Sequence, residues 1–179
     1  MDKKVAIIYK TKYGSTKKYA GWIAVKIDAD LYEVSDIRPK HLLEYDTIIF
    51  GGGLYEGKIN GINFITNNYN KIKDKELIIF TVGIQNVDDV IRTKIIEDNF
   101  NDLDIENIKM FNYRGAFEYK QLTLKDKIQI APIKMEIDEK HIRDLSEDDK
   151  NLLKGYEELV DLSDKKSIKI LLETICVTN

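Results

Sequence analysis

The chain has 179 residues, 43% hydrophobic and 33% charged, with a formal net charge of −3 and a single cysteine, Cys176. That length suits one domain around one core, which needs no disulfide or structural metal, and a lone cysteine excludes an internal disulfide and fits a reducing compartment. The acidic balance argues against a dedicated nucleic-acid binder, which usually carries a clustered basic face, and no stretch reaches the ~20 apolar residues of a spanning helix.

The first apolar run, Val5 to Tyr9, is too short for a signal-peptide core and reads as a buried strand, so a cytoplasmic location is expected, with peripheral membrane contact left open. Ser15 to Ile27 follows with apolar residues at helical spacing. Leu31 to Val34 is a weaker strand. Arg38 to Tyr45, which contains Pro39, predicts only a short helix or turn. Thr47 to Phe50 and Leu77 to Val82 are nearly continuous β-branched runs, as in strands buried on both faces of a parallel sheet. Between and after them, Ile62 to Ile72 and Asp88 to Phe100 have helical spacing. A fifth strand is expected at Asn107 to Tyr113. From Tyr119 to Ile137 the apolar residues mix periods of two and four, which leaves helix and hairpin both open. Ser146 to Asp149 is an N-cap with an acidic first turn, leading into a helix over Asn151 to Leu162. In the tail, Ile168, Leu171, Leu172, Ile175 and Cys176 form one apolar stripe if helical, which suits packing on its own domain or on a twin subunit. Alternating strands and helices predict an α/β layered fold.

Three strand ends carry the chemistry. Thr11-Lys12-Tyr13-Gly14-Ser15-Thr16 joins the first strand to a helix, and its hydroxyls and first helical N–H groups suit a phosphate, although Ser15 or Thr16 serves equally well as an N-cap. Phe50-Gly51-Gly52-Gly53-Leu54-Tyr55-Glu56-Gly57 places 4 of the 10 glycines within seven residues, an arrangement that lets backbone approach a ligand closely. Thr81-Val82-Gly83-Ile84-Gln85 repeats the pattern more weakly. Ligands of open α/β sheets bind at the carboxyl ends of strands where strand order reverses, and all three loops emerge there. Other chemistries lack their residues. A phosphoacceptor receiver needs acids where Lys10-Thr11 and Gly51 to Gly53 stand; no Gly-Lys-Ser/Thr loop or Gly-x-Ser-x-Gly elbow occurs; and His41 and His141 have no companions at metal-ligand spacing, so no metal site is expected.

The loop Thr11 to Thr16 resembles the phosphate loop of the flavodoxin superfamily, Thr/Ser-x-Thr-Gly-x-Thr, with Tyr13 replacing the middle hydroxyl residue. A narrower likeness is to the flavodoxin-domain family that includes the quinone-dependent protoporphyrinogen dehydrogenases. It rests on Lys12 inside the loop, on Gly52 to Gly57, on Tyr113-Arg114-Gly115-Ala116-Phe117-Glu118-Tyr119, and on the lysine-bearing segment Leu122 to Met135. The resemblance implies a three-layer fold with a five-stranded parallel sheet in the order 2-1-3-4-5. It implies a single domain over residues 1–179, an insertion at about 118–140 and a C-terminal helix plus tail at about 147–179.

The resemblance also implies FMN as cofactor. Thr11, Lys12, Tyr13, Gly14, Ser15 and Thr16 would surround its phosphate; Gly53, Leu54, Tyr55, Glu56 and Gly57 would border its ring; and Thr81, Val82, Gly83, Ile84 and Gln85 would complete the site. Tyr55 is the best stacking residue, and Tyr113, Phe117 or Tyr119 could supply the aromatic that the third loop lacks. Three functions follow: an FMN oxidoreductase of the protoporphyrinogen/quinone type, acting on a quinone or porphyrin-like small molecule; a one-electron carrier serving a redox partner protein; and a flavin-free interaction module. No catalytic acid or base is assigned, and a homodimer is allowed.

Overall fold

The computed structural model describes residues 3–100, 103 and 108–177. Five strands, β1 (Val5–Lys10), β2 (Asp30–Glu33), β3 (Thr47–Tyr55), β5 (Glu76–Gly83) and β6 (Lys109–Arg114), form one parallel sheet in the order β2-β1-β3-β5-β6. A two-residue strand, β4 (Lys58–Ile59), folds back antiparallel on the end of β3. Counting only parallel strands, the order is the expected 2-1-3-4-5. Asn107, where the fifth strand was expected to begin, lies outside the described residues.

The strands are apolar on both sides because both sides are covered. Ala6, Ile8, Ile48, Phe50, Leu77 and Ile79 face one core, which also receives Ile65, Ile72, Ile95 and Phe100 from α2 (Asn63–Thr66), α3 (Tyr69–Ile72) and α4 (Asp89–Phe100). Their neighbours Ile7, Tyr9, Ile49, Ile78 and Phe80 face the other, with Tyr19, Ala20 and Ile23 of α1 (Ser15–Ile27) and Leu171 and Ile175 of α7 (Lys169–Val177). This period-two partition makes the three layers. The apolar tail is therefore a sheet-covering helix, with Leu171 fully buried; the Cys176 side chain lies outside the described residues.

Between β6 and α7 the chain leaves the sheet. It forms β7 (Ala116–Phe117), α5 (Leu124–Asp138), α6 (Glu147–Glu157) and β8 (Val160–Asp161), which pairs antiparallel with β7. This excursion has its own small core of Phe117, Ile137 and Leu152, with Ile130 and Ile133 packed against it. Thus 119–137 is mainly helix, and its mixed periodicity has a cause. α5 is apolar on the cavity side at Ile130 and Ile133, while Leu124, Ile128 and Met135 are exposed.

Two expected helices differ. Residues 62–72 form two short helices, because the Asn68 side chain donates to the Phe64 carbonyl at 2.9 Å, the acceptor its own backbone N–H would use in a continuous helix. The helix expected to reach Leu162 ends at Glu157, since Val160 turns extended to pair with Phe117. Its start is as read from sequence: Ser146 and Asp149 form a reciprocal capping box.

Candidate functional site

A cavity of about 320 Å³ opens at the carboxyl ends of β1, β3 and β5, large enough for a small-molecule ligand. The sheet order brings there the three loops read from the sequence. Thr11, Tyr13, Ser15 and Thr16 line it from the first loop, Gly53 to Gly57 from the second, and Val82 to Gln85 from the third. Three expected residues stand off its wall. Lys12 turns to the Asp126 carboxylate, Gly14 forms the turn behind it with φ 92°, and Thr81 is buried with its hydroxyl donating to Asn112 Oδ1 at 2.7 Å.

The first loop is shaped for an anion. Gly14 is the N-cap of α1 and offers no side-chain acceptor, and the first helical bond runs from Lys18 N to Gly14 O at 3.0 Å. The N–H groups of Ser15, Thr16 and Lys17 are therefore left without intrahelical acceptors. Thr11 Oγ1 accepts from Gly14 N at 3.0 Å, which fixes the turn. Ser15 Oγ accepts from Ala116 N at 3.0 Å, so that hydroxyl is a structural clamp between the loop and β7. Thr16 is only 2% exposed and lines the cavity. A threonine on the cavity wall beside open helical N–H groups fits a phosphate.

The glycine run divides differently from the sequence reading. A Cβ at Gly51 would lie 2.1 Å from Phe80 Cζ, and one at Gly52 would lie 2.5 Å from Ile59 Cγ2 and 2.7 Å from Asn60 O. These two glycines admit a core aromatic and the β4 hairpin. Gly53 borders the cavity, but the Tyr55 ring folds back onto it, 2.7 Å from where a Cβ would stand. Tyr55 also lies beneath the Lys12 ammonium, 5.5 Å from ring centroid to Nζ. Burial, with smaller contributions from Tyr13 and Asp126, pushes its phenol well above the ordinary value of 10, so it stays protonated near neutrality.

Of the other aromatics, Phe117 lines the cavity. Tyr113 stacks on Tyr19 at 4.6 Å and Tyr119 on Tyr156 at 4.4 Å, and neither is on the cavity wall. Sequence reasoning singled out the segment Leu122 to Met135 but assigned none of its residues to the site; the excursion contributes a wall of Leu122, Asp126, Gln129, Ile130, Ile133 and Leu152. Sequence reasoning also missed Asp148, whose carboxylate binds Arg114 at 2.6 Å and Asn86 N at 2.9 Å, and so ties α6 to the third loop. Thr123-x-x-Asp126 was the available signal for Asp126, since Thr123 Oγ1 caps α5 by accepting from Asp126 N.

Residues 6–144, well over half of the chain, match the family described as flavodoxin domain. The chain belongs to this flavodoxin-domain family. An uncharacterized protein of Methanocaldococcus jannaschii is 34% identical over 82 residues, 45% of this chain and 55% of that protein, so the chain spans about half the length of the curated relative it matches. Among solved structures, a flavodoxin from the domain Archaea matches with TM-score 0.44 and 15% identity, over 77% of this chain and 99% of that one. The Trp repressor binding protein from Bacillus subtilis matches with TM-score 0.48 and 18% identity, over 63% and 85%. A flavoprotein from Lactobacillus acidophilus in complex with FMN matches with TM-score 0.42 and 18% identity, over 63% and 92%. No helix among the described residues of this flavodoxin-domain chain is long and apolar enough to cross a membrane.

Proposed function

We propose that this chain binds FMN in the cavity and acts as an oxidoreductase, exchanging electrons with a planar, largely apolar small molecule of quinone or porphyrin-like class. The α1 N-terminus, Thr11 and Thr16 would hold the phosphate, and the second and third loops would border the ring. Bound there, the flavin supplies the redox chemistry, while the protein supplies position and exclusion of water. Glu56 adds an anion at the second loop; its carboxylate accepts from Gln129 Nε2 at 3.0 Å.

The observation that favours a small-molecule substrate is the wall beyond the three loops. Ile130 and Ile133 of α5, Leu152 of α6, Leu159 and Phe117 extend the cavity with apolar surface, while Leu124, Ile128 and Met135 of the same α5 are exposed to solvent. A compound that enters would desolvate beside the ring. Those three exposed apolar residues favour the second reading, a one-electron carrier docking a redox partner protein. Anaerobic reduction by candidate donors, followed by flavin absorbance, separates the two. Reduction by protoporphyrinogen and reoxidation by menaquinone supports the enzyme, whereas exchange only with protein partners supports the carrier.

A further inference from the structure

α5 is fastened to two of the three loops that line the cavity. At its first turn, Asp126 accepts hydrogen bonds from Lys12 Nζ and from the Tyr13 hydroxyl, both in the first loop. Thr123 Oγ1 donates to the same carboxylate at 2.8 Å, and Thr123 N donates to the Tyr13 hydroxyl at 3.1 Å. One turn further on, Gln129 reaches Glu56 in the second loop. Asp126 is 8% exposed and lines the same cavity as Thr11, Ser15 and Thr16. Lys12 is the sole cation of the loop from Thr11 to Thr16, and it is already neutralised by a carboxylate from a different part of the chain.

We infer that Asp126 is a positioning residue that latches α5 across the cavity by occupying the cation and phenol of the first loop, and that this built-in anion lowers the loop's selectivity for phosphate-bearing over phosphate-free ligands. The inference rests on the flavin reading of the cavity and adds to it a coupling between cofactor and α5. A phosphate that recruits Lys12 or Tyr13 competes with Asp126, so phosphate binding weakens the latch, and the coupling is reciprocal. A phosphate held by the α1 N–H groups and Thr16 alone still meets the field of Asp126, because like charges nearby oppose one another.

The test compares wild type with Asp126→Asn, which keeps the size of the side chain and removes its charge, in titrations with FMN and with riboflavin, which lacks the phosphate. The ratio of the two affinities isolates the phosphate, since a general loosening of the cavity weakens both ligands alike. The expected result is an FMN-to-riboflavin ratio raised by about tenfold in Asp126→Asn, with a steeper salt dependence of FMN binding. Hydrogen exchange without ligand should show faster exchange across 124–131 in the variant. An unchanged or lowered ratio overturns the inference. If neither flavin binds wild type, the flavin reading fails separately, and equal α5 exchange in the two proteins then overturns the latch while faster exchange in the variant upholds it.

Discussion

Gly51 sits at the centre of the sheet, where glycine looks like a ligand device and the structure makes it a packing device. In Gly51→Ala the new Cβ falls 2.1 Å from Phe80 Cζ and 2.6 Å from both Cε atoms, far inside contact distance. Phe80 is fully buried and packs at 5.8 Å against Tyr113, which in turn stacks on Tyr19, so the ring cannot swing clear without moving the α1 layer. Overpacking of this kind costs about 1–3 kcal/mol, against a gain of about 0.4–1 kcal/mol from restricting the unfolded chain. The expected net loss is about 1–2 kcal/mol, read from urea denaturation, with a fall in Tm of roughly 2–4 °C per kcal/mol at this length. Phe80→Leu removes the obstructing ring end, so the double variant should be more stable than the sum of the single losses by about 1 kcal/mol. The FMN affinity of folded Gly51→Ala should be unchanged. A variant of wild-type stability that loses FMN would refute the packing assignment and restore the glycine to the ligand.

Leu171→Ala should cost about 2–5 kcal/mol, because Leu171 is fully buried between α7 and the sheet; denaturant unfolding with a loss under 1 kcal/mol would show that α7 does not cover the sheet. Asp161 provides a pH test. Its carboxylate accepts from Lys18 at 2.7 Å, and that bond, with the one from the Ser163 backbone N–H at 2.9 Å, holds its pKa down to about 2. A folded pKa below the unfolded value of about 3.9 contributes stability that is present above pH 4 and lost as pH falls toward 2. With both side chains about 40% exposed, the contribution is about 1 kcal/mol or less. Wild type should therefore melt above Asp161→Asn at pH 6, and the gap should narrow as pH falls toward 2 and close below it.

The parts of the fold legible in the sequence are those set by local chemistry. Ile7, Ile49 and Ile78 lie in continuous apolar runs because both sheet faces are covered, and Ser146 to Asp149 announces a helix start that the capping box confirms. What resisted reading depends on partners far along the chain. The two-sided apolar pattern of α5 becomes intelligible only once the cavity takes one side. The glycines at 51 and 52 cannot be told from ligand-facing ones without Phe80, Ile59 and Asn60 in place. In the candidate site the three loops were legible because topology delivers strand ends to one edge. Asp126 was legible only as part of the helix cap Thr123-x-x-Asp126, since nothing near it in sequence hints that residues 114 and 113 positions away would bind it.

Titration of the purified, flavin-depleted chain with FMN, followed by quenching of flavin fluorescence and by isothermal calorimetry, decides whether the cavity is a flavin site. One FMN per chain, with binding weakened in Thr16→Val at unchanged melting temperature, is the predicted result. No binding, or binding indifferent to Thr16, would contradict the assignment of the α1 N-terminus as the phosphate site and of the cavity as the place of the ring.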